Sequence, residues 1–156
     1  MGFMIAGAAT ALAACDASPG SSGAEKQKTG AGSKAIHVYR DPECGCCEAW
    51  AEIARKAGYE VTVESRADMP AIKALHGVPD DLRSCHTAVA GGYAIEGHVP
   101  LKSVARLLAE RPDDIRGIAV PGMPRGSPGM EMPDGSIDAY AVMAFGAAGE
   151  VSAFGA

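Results

Sequence analysis

The chain has 156 residues, a net charge of −5 and only 5% aromatic residues. That length holds one small domain with an aliphatic, alanine-rich core, and the acidic balance without a long basic run excludes nucleic acid as a partner class. Five cysteines are too few, and too clustered, for a disulfide scaffold.

Residues 1–15 stand apart from the fold. Met1 to Ala14 is small and apolar and ends Leu12-Ala13-Ala14-Cys15. This resembles a bacterial lipoprotein signal with its lipobox, in which Cys15 is the lipidated residue. No Lys or Arg precedes Cys15, so the charged start of such signals is missing. A run of about fourteen apolar residues is too short to span a bilayer. Residues 16–34 are rich in Gly, Ser, Ala and Lys without apolar periodicity, which predicts a flexible tether. A mature lipoprotein cysteine carries several acyl chains, enough for stable attachment to a membrane. Asp16 resembles the signal that keeps such proteins on the inner membrane in some bacteria.

The folded domain is expected over residues 35–156. Ala35-Ile-His-Val-Tyr-Arg40 alternates and reads as a first strand. Asp41-Pro42-Glu43 is a turn. A first helix follows over 44–57, with Trp50, Ile53, Ala54 and Ala57 at helical spacing and Gly58 as its C-terminal stop. Residues 59–65 alternate as a second strand. Asp68 is placed to cap a second helix that runs through Ile72 and Leu75 to Gly77. His86–Ala90 and Tyr93–Glu96 flank Gly91-Gly92, a hairpin signal. Pro100 opens a third helix over Leu101 to Glu110. Strand, helix, strand, helix, hairpin, helix is the order of a thioredoxin-like α/β fold: a mixed sheet with flanking helices and a parallel first crossover. From Ile118 to Pro133 periodicity gives way to a long Gly/Pro/Met-rich loop. Tyr140 to Phe145 reads as a last strand, with a tail from Gly146.

The chemistry concentrates in Cys44-Gly45-Cys46-Cys47, set between the first strand and the first helix. A helix N-terminus favours negative charge and drives thiols towards thiolate, which is both nucleophile and metal ligand. The fold order brings the loop holding Cys85-His86-Thr87 to the same helix end, so the four thiols form one soft-ligand site. Soft thiolates select Cu(I), Zn(II) or iron–sulfur. Adjacent Cys46 and Cys47 do not pair easily with each other but can bridge several metal ions. Cys44 to Cys47 is also a Cys-x-x-Cys spacing at a helix start, as in thiol–disulfide oxidoreductases. Metal binding and redox chemistry are both open from the residues alone. His86 adjoins Cys85 as a ligand or as a group supporting one. His98, between Gly97 and Val99, reads as structural, with the site as its alternative. His37 falls on a solvent face, and His76 suits a helix C-terminus. Met123, Met130 and Met132 are thioether candidates for Cu(I), or plugs between loop and core.

Cys44-Gly-Cys-Cys47, Ser84-Cys-His-Thr-Ala88, Gly92-Tyr93, Glu96-Gly-His-Val-Pro100 and the run Gly117 to Glu131 occur together and in order. Together they resemble the CopG-like proteins, a metal-binding family found near copper-resistance genes. The resemblance covers roughly residues 35 to 154. It implies a thioredoxin-like fold, a periplasmic location and a copper site of more than one ion on Cys44, Cys46, Cys47 and Cys85, with His86 as a possible addition. Other copper-handling proteins are the implied partners, and a membrane enters only through a lipid on Cys15. A thiol–disulfide oxidoreductase using Cys44 and Cys47 is the rival reading. Against it, Cys46 crowds the motif, and Cys85 stands where such enzymes usually carry a cis-proline.

Overall fold

The structure, a computed structural model, describes residues 1–2 and 34–155. The lipobox-like segment and most of the tether lie outside the described residues. Seven strands form one mixed sheet. The first half follows the expected element order. β1 (Ala35–Arg40) leads to α1 (Gly45–Lys56), β2 (Glu60–Ser65), α2 (Met69–Leu75), β3 (His86–Ala90), β4 (Tyr93–Glu96) and α3 (Leu101–Glu110). β1 pairs parallel with β2 and antiparallel with β3, and β3 pairs antiparallel with β4.

Alternation along each strand divides the side chains between two faces. Ile36 and Val38 of β1, Ala88 and Ala90 of β3 and Tyr93 and Ile95 of β4 enter one core with Trp50, Ala51 and Ala54 of α1 and Val104 and Leu107 of α3. The intervening Ala94 faces a smaller core with Val78, Leu82, Ala119 and Phe145. α2 lies against β1 and β3.

The buried stripe of α1 is Cys47, Trp50, Ala51 and Ala54. It is rotated from the expected one: Ile53 is half-buried and Ala57 is exposed. The rotation matters for the site, because it sends Cys47 into the core and leaves Cys46 beside the helix end. Gly58 does follow the helix with φ +87, and its N–H is bonded to the Arg55 carbonyl. Asp68 stands at the cap position of α2 without a capping bond; its carboxylate is held by Arg66 at 2.8 Å instead.

The second half departs further from expectation. β5 (Ile115–Ala119) is a strand parallel to β4, and β6 (Met143–Gly146) and β7 (Val151–Ala153) form an antiparallel extension. The expected strand from Tyr140 thus begins at Met143, and the supposed tail pairs as β7. Gly117 conceals β5. A Cβ there would overlap the Ala94 carbonyl oxygen and sit 2.5 Å from the Phe145 ring, so this central strand needs a residue of low strand propensity. Residues 120–142 carry no helix or strand, as the Gly/Pro/Met pattern predicts.

Candidate metal centre

Asp41 shapes the entry to α1. Its carboxylate accepts the Glu43 N–H at 2.9 Å and its carbonyl accepts the Cys44 N–H at 3.1 Å. That turn places Cys44 at the cap position of α1, with Cys46 and Cys47 in the first helical turn. Cys44 and Cys47 are joined by a disulfide, with their Cα atoms 5.5 Å apart. The Cys46 sulfur lies 3.5 Å from that of Cys44 and 4.0 Å from that of Cys85. All four sulfurs lie within 4.8 Å of one another. Cys47 is buried; Cys44, Cys46 and Cys85 are half-buried.

Cys85 links this group to a second one. Its sulfur is 3.3 Å from His86 Nδ1 and 3.0 Å from His98 Nε2. Cys85, His86 and His98 form a further set able to hold a metal ion. The His98 ring turns to the cysteines, the alternative that the sequence left open. Its Nδ1–H donates to the Pro128 carbonyl at 2.8 Å. A neutral imidazole bonded that way keeps its lone pair on Nε2, aimed at Cys85, so the carbonyl sets the tautomer of a potential ligand. The signal in the sequence is faint: a histidine just after a strand, next to a glycine, Gly97.

His86 is fully buried and lies 5.1 Å from both the Trp50 and His98 rings. Its Nε2 has no hydrogen-bond partner among the described residues. Trp50 Nε1–H donates to the Val99 carbonyl at 2.9 Å and ties the His98 loop to α1. The long loop closes the same corner. A Cβ on Gly129, where φ is +84, would lie 2.8 Å from the Trp50 backbone nitrogen and 3.2 Å from the Cys46 carbonyl oxygen. Gly129→Ala is expected to lift this loop from the helix start and to destabilise the chain by about 1–3 kcal/mol, read as a lower melting temperature. An unchanged melting temperature would show that the loop does not depend on this contact. Among the loop methionines, Met123 and Met132 are exposed and Met130 is half-buried.

Burial favours the neutral form of each group here. It pushes the Cys85 thiol up to about 12, reinforced by the charge of Cys46. It holds His86 well below the usual imidazole range, with further lowering by His98 and Lys73. His98 is lowered by burial against the opposing pull of the Pro128 carbonyl and Glu131. Below about pH 6.5 the unfolded imidazoles take up protons that the folded ones refuse, so stability falls on acidification. Above about pH 8.5 the unfolded thiol loses a proton that folded Cys85 keeps, so stability falls again on the alkaline side. Calorimetric scans of the disulfide form should show the highest melting temperature between those limits. A melting temperature still rising well above about pH 9 would contradict the assignment.

Comparison with known proteins adds to this geometry. Residues 82–130 match a family model described as "Protein of unknown function, DUF411". No curated protein matches the chain. Two solved structures do, described as "Copper resistance protein copG", forms 1 and 2. Form 1 is 46% identical, with 76% of this chain and 93% of that chain covered and a TM-score of 0.71. Form 2 is 45% identical, with 76% and 94% covered and a TM-score of 0.72.

Proposed function

The chain belongs to the copper resistance protein CopG family, and from that premise we propose that it is a periplasmic protein that binds copper through Cys44, Cys46, Cys47 and Cys85. His86 and His98 complete the donor set. The observation that carries this reading is the convergence of four sulfurs within 4.8 Å, three from one helix start and one from a loop some forty residues on. Thiolates select soft Cu(I) over harder cations. His86 Nδ1, beside the Cys85 sulfur, and the directed His98 lone pair supply nitrogen donors at the same corner. Four sulfurs can be shared between ions, so more than one copper fits the donor count.

The disulfide gives the site a redox condition. Cys44 and Cys47 must take up two electrons and two protons before they can act as thiolate ligands, and copper binding then displaces thiol protons. The test is anaerobic Cu(I) titration of the reduced and disulfide forms, with bound copper counted per chain. The reduced form is expected to take more copper. Equal uptake by both forms, or none by either, would count against the site.

A second reading has its own support. The formed Cys44–Cys47 disulfide, with free Cys46 3.5 Å from Cys44, is an arrangement for thiol–disulfide exchange. In it a substrate dithiol is oxidised while the protein disulfide becomes two thiols. Coupling of that couple to a change of copper redox state joins the two readings. Catalytic turnover in an insulin-reduction assay would raise exchange above copper binding.

Attachment through Cys15 is part of the same proposal. No helix among the described residues is long and apolar enough to cross a membrane. A lipid on Cys15 with residues 16–34 as tether would hold the copper site near membrane copper-handling proteins. Native chain in the membrane fraction and Cys15→Ser in the soluble periplasmic fraction is the expected result. A wholly soluble native chain would remove the anchor.

A further inference from the structure

Behind the Cys85 loop, on the sheet face away from α1, lies a buried ion pair that copper binding does not use. Glu96 of β4 is fully buried and Lys73 of α2 is 6% exposed. Lys73 Nζ donates to Glu96 Oε1 at 2.5 Å. The same oxygen accepts the Ser84 N–H at 2.6 Å, and Oε2 accepts the Thr87 hydroxyl at 2.7 Å. Desolvating two charges is costly, and an apolar pair of similar size is often as stable or more so. Stability alone is therefore a poor reason for this pair. An apolar pair could not accept the Ser84 N–H, which would then be left without its bond.

Ser84 immediately precedes Cys85 and is held from three sides. Glu96 takes its N–H. Its hydroxyl donates to the Gly122 carbonyl, and the two residues form a parallel bridge. Gly97 approaches so closely that a Cβ there would overlap the Ser84 side chain. The next sulfur along the chain, that of Cys85, stands 3.0 Å from His98 and 4.0 Å from Cys46.

We propose that Glu96, locked by Lys73, is a positioning residue for Cys85. Its carboxylate fixes the Ser84 amide and so keeps the Cys85 sulfur within bridging reach of Cys46 and His98. It touches no sulfur itself. Its purpose rests on the copper reading, but the placement is testable without copper. In full-length Cys15→Ser chain with the Cys44–Cys47 disulfide intact, Cys46 and Cys85 are the free thiols. Phenylarsine oxide condenses with two such thiols, forming two As–S bonds and releasing water, so its affinity reads their effective concentration.

Lys73→Met/Glu96→Leu removes both charges and the acceptor. Lys73→Met/Glu96→Gln removes both charges but keeps an oxygen for the Ser84 N–H. The leucine pair is expected to keep the helical circular dichroism yet bind the arsenical about tenfold more weakly, while the glutamine pair stays near the parent. Parent-like binding by the leucine pair, within about twofold, would overturn the proposal. Should the leucine pair not fold, amide exchange in the parent decides. The Ser84 N–H should exchange as slowly as the interior of β3, and exchange at a free-peptide rate would overturn the proposal. A chain that captures the arsenical but takes up no Cu(I) would defeat the copper reading alone and leave the role of Glu96 standing.

Discussion

Cys85→Ser is expected to weaken Cu(I) binding by the reduced chain by more than the roughly 10–100-fold that loss of a partner beyond the ligands typically costs a metal site. Cys85 is the one sulfur shared by both donor groups, within 4.0 Å of Cys46 and 3.0 Å of His98. A hydroxyl in its place is a hard, weakly acidic donor that Cu(I) does not favour. Competition with a chromogenic Cu(I) chelator measures the change. Cys15→Ser, remote in sequence from the four converging thiols, should bind copper like the parent. Equal affinity in Cys85→Ser would place the copper elsewhere.

Trp50→Ala should have the largest effect on stability, about 3–5 kcal/mol. Trp50 is among the largest fully buried side chains, and its indole N–H is bonded to the Val99 carbonyl. The substitution opens a cavity against His86, leaves that carbonyl without its donor and frees the turn that carries His98. Trp50→Phe separates these effects. It keeps most of the packing and loses the hydrogen bond, which contributes about 1 kcal/mol. Chemical denaturation of the disulfide form checks both values. A loss below about 1 kcal/mol in Trp50→Ala would mean that the core closes without the indole.

The parts of the fold that were legible in the sequence are those whose local signals agree with their tertiary setting. Gly91-Gly92 sits between two apolar runs and turns the β3–β4 hairpin; Pro100 opens α3 where expected. β5 was hidden because its neighbours crowd Gly117 until only glycine fits, which erases the strand pattern at that point. β7 was hidden because its three residues are all exposed and carry no alternation. The same distinction holds at the site. Cys44, Cys46 and Cys47 announce themselves by proximity in sequence, and Cys85 by the fold order that returns its loop to α1. The orientation of His98 depends on Pro128, thirty residues away, and the Lys73–Glu96 pair depends on α2 packing behind β3 and β4. Neither has a local signature: a lysine in a short helix and a glutamate ending a strand look like ordinary surface residues until the sheet buries them.

The most direct measurement is X-ray absorption at the copper K-edge on the reduced, Cu(I)-loaded chain, beside a variant with Cys44, Cys46, Cys47 and Cys85 all changed to serine. A first shell dominated by sulfur in the parent, and loss of bound copper in the variant, is the expected result. A shell of only oxygen and nitrogen, or the same sulfur shell in both proteins, would contradict copper binding by the cysteine cluster.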